Sequence, residues 1–157
     1  MTSCAKEDNS KKVENFLKQI YIPEENEVYK QEGQALGEGV DENVNSEDEL
    51  EKYLQEKFTP LMTEEGYNSI RGTNPLIWLG FAKNQDNIDI HMSNLQVNKI
   101  EPEKASPDFE YYEFKFDLEF SRDNSNLDTQ EIRGQIRLTK DGLVDNFREE
   151  THFQIPQ

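Results

Sequence analysis

The chain has 157 residues, 33% hydrophobic and 10% aromatic, and a formal net charge of -16; it can bury one core, yet it is polar enough that part of it must stay solvated. Nucleic-acid binding needs cationic clusters that displace counterions, and this sequence has none: residues 24–51 carry eleven acids against the single base Lys30. An anionic membrane surface repels such a body unless a lipid holds it there, and no stretch approaches the ~18 consecutive apolar residues of a membrane span.

Residues 1–9 read as a polar N-terminal tether. They hold the one cysteine, Cys4, so no intrachain disulfide forms. Thr2-Ser3-Cys4-Ala5, followed by the polar run Lys6 to Lys12, resembles the end of a bacterial lipoprotein signal, where two small residues precede an invariant cysteine. Two features depart from that pattern: Met1 stands where Leu is usual, and the basic and apolar regions of a signal are absent. The resemblance implies a lipid on Cys4 and an extracytoplasmic location at the cell membrane; a cytoplasmic protein beginning at Met1 is the alternative.

From residue 10 to 157 the sequence reads as a single α+β domain. Val13, Phe16, Leu17, Ile20 and Tyr21 recur at helical spacing and predict an amphipathic helix, with Ser10 as its N-cap and Pro23 as its stop. Residues 24–45 follow as an acidic, mobile connection within the domain. Asp41, Asn43 and Asn45 have the spacing of a calcium loop, but Ser46 and Lys52 stand where that loop requires Gly and Glu, which argues against calcium. Ser46-Glu47-Asp48-Glu49 is a capping box, opening a second helix with Leu50, Tyr53, Leu54 and Phe58 on one stripe. Thr63 caps a third, short helix through Glu64, Glu65, Tyr67 and Ile70.

At residue 76 the period changes to two. The apolar run Leu76 to Phe81 predicts a short strand, and Ile88, Ile90 and Met92 alternate with Asp89 and His91 before the phase breaks at Ser93-Asn94, as at a bulge. Tyr111 to Phe120 is the strongest strand signal in the chain. Tyr112, Phe114, Phe116, Leu118 and Phe120 fall on one face, and Tyr111, Glu113, Lys115, Asp117 and Glu119 on the other. A polar turn, Ser121 to Asp128, leads to alternating Ile132, Gly134, Ile136 and Leu138; Lys140-Asp141-Gly142 is a hairpin turn, and Val144 to Ile155 is the last strand.

Few residues carry chemistry. His91 and His152 both fall on polar strand faces, without metal-ligand spacing, and there is no nucleophile elbow, phosphate-binding glycine loop or Cys–His pair. No catalytic residue, cofactor or metal is therefore expected. Tyr111 and Trp78 are the aromatics to watch for partner contact. The carboxylates Glu113, Asp117 and Glu119 are expected to pair across strands with Arg133 and Arg137. That gives one candidate partner face: Tyr111, Glu113, Lys115, Arg133 and Arg137.

Helices first and antiparallel strands afterwards predict helices on one face of a curved antiparallel sheet. The helix at Val13–Ile20, the stretch Phe58-Thr59-Pro60-Leu61-Met62-Thr63-Glu64-Glu65-Gly66-Tyr67 and the long C-terminal strands resemble the cystatin-like cone of the nuclear-transport-factor-2-like superfamily. That resemblance implies either an isomerase or dehydratase with polar groups inside the cone, or a non-catalytic accessory domain of a cell-surface protein. The apolar interior positions Phe114, Phe116, Phe120, Ile136 and Phe147 favour the second: a lipid-anchored domain working through an unidentified protein partner at the bacterial cell surface. A small-molecule binder or lyase/isomerase using the interior is the alternative.

Overall fold

The computed structural model describes residues 9–22, 52, 54–70, 79, 82–83 and 86–156. Cys4, the acidic connection at 24–45, the capping box at 46–49 and Trp78 lie outside these residues. Within them, helices precede a four-stranded antiparallel open sheet of order β1-β2-β3-β4, with β1 at Asp89–Ile100, β2 at Phe109–Arg122, β3 at Ser125–Thr139 and β4 at Val144–Glu149. The fold is therefore α+β.

Helix α1, Ser10–Tyr21, buries Val13, Phe16, Leu17, Ile20 and Tyr21, the stripe that its spacing predicts. Its N-cap is Asn9 rather than Ser10, and no side chain caps it. Asn9 instead donates its amide to Glu110 at the start of β2, so a tertiary contact replaces the local one. Residues 54–58 are helical, with Leu54 and Phe58 buried. Helix α2, Glu64–Ile70, begins as expected after Thr63, whose Oγ1 accepts the Gly66 N–H at 3.0 Å. Of the apolar run at 76–81 only Leu79 is among the described residues; it and residues 82–83 are helical, where the change of period predicts a strand. A short apolar run has no period that separates a buried strand from a buried helix; Leu79 and Ala82, both fully buried, share a helical face.

Strand β2 lies between β1 and β3, and its inward side chains Tyr112, Phe114, Phe116, Leu118 and Phe120 are each at most 2% exposed. Around them the rings interlock. Phe114 stacks on Phe147 (5.7 Å, 6°), Phe16 meets Phe147 edge-on at 5.6 Å and Phe58 at 6.0 Å, and Tyr21 meets Phe116 at 4.9 Å. The bulge expected near Ser93-Asn94 is present as a register shift between Ser93 and Gln96, with Asn94 at φ 55°. The β2–β3 hairpin is longer than the polar sequence suggests. Asp123 and Asn124, at φ 51° and 63°, make a two-residue turn between the paired Arg122 and Ser125.

The last strand is shorter than predicted, ending at Glu149. Beyond it, Gln130 replaces strand pairing by exchanging two side-chain hydrogen bonds with the backbone of Gln154. At the other end of β4, the Thr63 N–H donates to Val144 O (2.9 Å) and the Val144 N–H to Leu61 O (2.8 Å), which covers that part of the sheet edge. This junction explains Gly66: a Cβ there would lie 2.2 Å from the Val144 carbonyl oxygen. Gly66→Ala is expected to cost about 1–3 kcal/mol, the usual range for overpacking, read as a lowered urea midpoint with the α2 amides exchanging faster.

Candidate functional site

Strand alternation gives the sheet an outer face built in rows. Tyr111 lies opposite Arg137, Glu113 opposite Gln135, Lys115 opposite Arg133, and Asp117 opposite Glu131. Strand β1 extends the rows with Asn98 beside Glu113 and Gln96 beside Lys115, while β4 adds Asn146 beside Arg137 and Arg148 beside Gln135. A shallow groove of about 290 Å³ crosses the face, lined by Gln96, Asn98, Glu113, Lys115, Arg133 and Gln135 among others. A smaller one of about 120 Å³ lies beside Tyr111, Arg137 and Arg148.

The five residues of the predicted partner face do share this surface, but they are not equivalent. Tyr111 is half-buried, and its hydroxyl accepts the Ser106 N–H at 3.0 Å, fastening the β1–β2 connection. Arg137 sits with its guanidinium carbon 4.6 Å above the Phe109 ring and donates to Asp145 from Nε (2.9 Å) and Nη2 (2.6 Å). Both therefore serve the fold. Glu113, Lys115 and Arg133 remain exposed, joined by Gln135 and Arg148. Alternation from Phe147 places Arg148 outward, a signal legible in the sequence that the predicted face leaves out.

The expected cross-strand pairing of Glu113, Asp117 and Glu119 with Arg133 and Arg137 does not occur. Arg133 reaches Glu131 on its own strand (3.2 Å), Lys115 reaches the same carboxylate diagonally (3.9 Å), and Asp117 accepts the Asn94 amide (2.8 Å). The register contributes to this, because it sets Asp117 opposite Glu131 and Lys115 opposite Arg133, and gives Glu113 and Glu119 the uncharged Gln135 and Thr129.

The inner side of the sheet also holds a polar contact between α1 and β4. Tyr21, fully buried in α1, donates its hydroxyl to the carboxylate of Glu149 at the end of β4. Burial pushes Tyr21 ionisation up, and the neighbouring Glu149 charge and hydrogen bond push it further, so the phenol stays protonated. Burial also raises the Glu149 carboxyl above its ordinary value, against the lowering effects of the Tyr21 hydroxyl and of His152. Phe147-x-Glu149 is the available sequence signal: an acid two residues after an inward aromatic points inward.

For a carboxyl raised in the folded state, the stabilisation is full below the unfolded value of 4.5 and is lost as pH rises through the folded value. Glu149→Gln keeps an acceptor for Tyr21 but cannot ionise. The variant is therefore expected to gain stability relative to the parent as pH rises from 4 to 8. Urea midpoints of the two proteins across that range check this, and a pH-independent difference contradicts it.

His91 is exposed opposite Glu119 and borders an open depression of about 340 Å³ with Lys18, Gln19, Ile22, Ile90 and Met92. His152 is exposed in the C-terminal tail. Among the described residues no three His, Cys, Asp or Glu side chains group to hold a metal ion, and no helix is long and apolar enough to cross a membrane.

No family model matches the chain, and no curated protein matches it. Among solved structures it is similar to a periplasmic fragment of TraM, at a TM-score of 0.38 and 7% identity over 60% of this chain and 76% of that one. A likeness of that degree carries neither fold nor role across.

Proposed function

We propose that the chain is an extracytoplasmic, lipid-anchored accessory domain that works by protein contact through the outer face of its sheet. The observation carrying this reading is the division of chemistry between the two faces. The inner face of β2 is filled by interlocked aromatic rings. The outer face presents a groove whose amides Gln96, Asn98 and Gln135 make no hydrogen bond to the described protein atoms. Spare donors and acceptors beside exposed arginines are what a polar partner surface offers. Helices on one face of an antiparallel sheet, with a bulge in β1, are also what a cone of the nuclear-transport-factor-2-like type requires, and the proposal extends to that membership.

The test uses the gene with its natural upstream sequence, expressed in a bacterial host and labelled with palmitate. Wild-type protein is expected in the membrane fraction carrying label; Cys4→Ser should lose both. A photo-crosslinking residue at Gln135 should give adducts with envelope proteins, and one at Gln55, on the exposed side of the 54–58 helix, should not. Unlabelled, soluble wild-type protein overturns the anchor, and equal crosslinking from both positions overturns the contact surface.

A second reading, binding or lyase/isomerase chemistry in the interior, is favoured by the Tyr21–Glu149 pair. Space is the argument against it: the Tyr21 ring lies against Phe116, Phe147 and Phe153 at 4.9, 6.3 and 6.4 Å, leaving the hydroxyl closed in.

A further inference from the structure

The hairpin register places charges where strand pairing alone does not favour them. Lys115 stands directly opposite Arg133, and Asp117 directly opposite Glu131. Like charges in opposed positions weaken a sheet, and exchanging Lys115 with Asp117 would turn both pairs into attractive ones. The three side chains that form ion pairs here are half-exposed: Lys115 at 48%, Glu131 at 48% and Arg133 at 59%. The outer face consequently carries a positive stripe across β2 and β3, with a negative stripe parallel to it about 7 Å along the strands. One pleat separates them.

Such a face is its own complement. A two-fold axis lying in the face, midway between the stripes and parallel to them, carries each stripe onto the opposite one. An acidic partner would meet repulsion at Asp117 and Glu131, and a basic partner at Lys115 and Arg133. Matched stripes of both signs suit a symmetric contact, in which residue i meets j and j meets i. We propose that a second copy of this chain docks face to face on the outer side of the sheet, the Lys115–Arg133 stripe of each protomer against the Asp117–Glu131 stripe of the other. This rests on reading the outer face as the contact surface, and it names the occupant.

Size sets the strength. Four strands about 4.8 Å apart and five outward rows about 7 Å apart span roughly 500–600 Å², below the ~800 Å² per partner of a standard stable complex. The next row sets Glu113 against Glu119 of the second copy, and each chain carries a net charge of -16. The four stripe residues themselves sum to zero charge. The dimer is therefore weak, and its exposed ion pairs make it salt-sensitive.

Sedimentation velocity of the full chain, from micromolar to millimolar concentration at low and high salt, tests this. Wild type is expected to dimerise at low salt and to dissociate at high salt. Lys115→Glu with Arg133→Glu makes both stripes negative; Asp117→Lys with Glu131→Lys makes both positive. Each double variant alone should sediment as a monomer, and an equimolar mixture should form a heterodimer tighter than the wild-type dimer. Concentration-dependent amide shifts in wild-type protein, confined to β2 and β3 around these four residues, give a readout that needs no variant. A wild type that stays monomeric to millimolar concentration at low salt overturns the proposal, as does a reversed variant that dimerises as well as wild type. If the wild type is monomeric but Gln135 still crosslinks to an envelope protein, self-pairing fails while the contact surface stands; loss of both removes both.

Discussion

Phe116→Asp is expected to abolish the cooperative unfolding transition altogether. Phe116 is 1% exposed, opposite Ile132 on β3, with the Tyr21 ring at 4.9 Å and the Phe114 ring at 6.1 Å. Truncating a buried phenylalanine alone costs about 3–5 kcal/mol through lost transfer energy and the cavity left behind. Aspartate adds a carboxylate with no partner in an aromatic site, a further cost of several kcal/mol whether it stays charged or takes up a proton. Together these approach or exceed the roughly 5–15 kcal/mol by which domains of this kind are stable. The adjacent residue supplies the control. Lys115 points the other way and is half-exposed, so Lys115→Asp should change the stability by no more than about 0.5 kcal/mol. Far-ultraviolet circular dichroism on heating separates the two variants; a near-normal transition for Phe116→Asp would mean that the inward and outward faces of β2 are reversed.

How far the sequence reveals this structure depends on whether a residue's role is local. The α1 stripe and the two faces of β2 follow from period alone, because burial on one side imposes that period. The Thr63 cap, the bulge at Ser93–Gln96 and the Gly142 turn, at φ 87°, also follow from a few neighbouring residues. Roles set by distant partners are not legible in that way. Asn9 at the α1 cap leaves the local capping bond unmade because its side chain reaches Glu110, 101 residues away. Residues 125–128 belong to β3 and pair with the long β2, all but Leu127 at a register shift, although Ser121 to Asp128 reads as a turn. Alternation alone places Glu113, Lys115 and Arg133 on the outward side of the sheet, yet it does not give their ion pairs, since pairing depends on a register that alternation leaves open by whole pleats.

Asp145 shows how much can hang on such a distant role. It is 5% exposed at the second position of β4, and its carboxylate accepts the Thr63 hydroxyl at 2.8 Å and both Arg137 donors. Thr63 in turn accepts the Gly66 N–H, so one chain of hydrogen bonds runs from the first turn of α2 through β4 to β3. Asp145→Ala strips that chain of its acceptor. Breaking a buried pair by removing one partner typically costs about 3–5 kcal/mol; with the Arg137 side chain 32% exposed, water can resolvate the guanidinium, and about 2–4 kcal/mol is the expected loss. Asp145→Asn should cost less, because its carbonyl still accepts from Thr63 while only the charge-assisted pairing weakens. Thr63→Val combined with Asp145→Ala should be less destabilising than the sum of the two by about 1 kcal/mol, since they break the same chain. Hydrogen exchange localises the effect: the Gly66 and Tyr67 amides should lose protection in Asp145→Ala well before those of β2. Equal loss across the sheet would mean that the carboxylate supports the whole core, and no loss at Gly66 would mean that Thr63 caps α2 without its help.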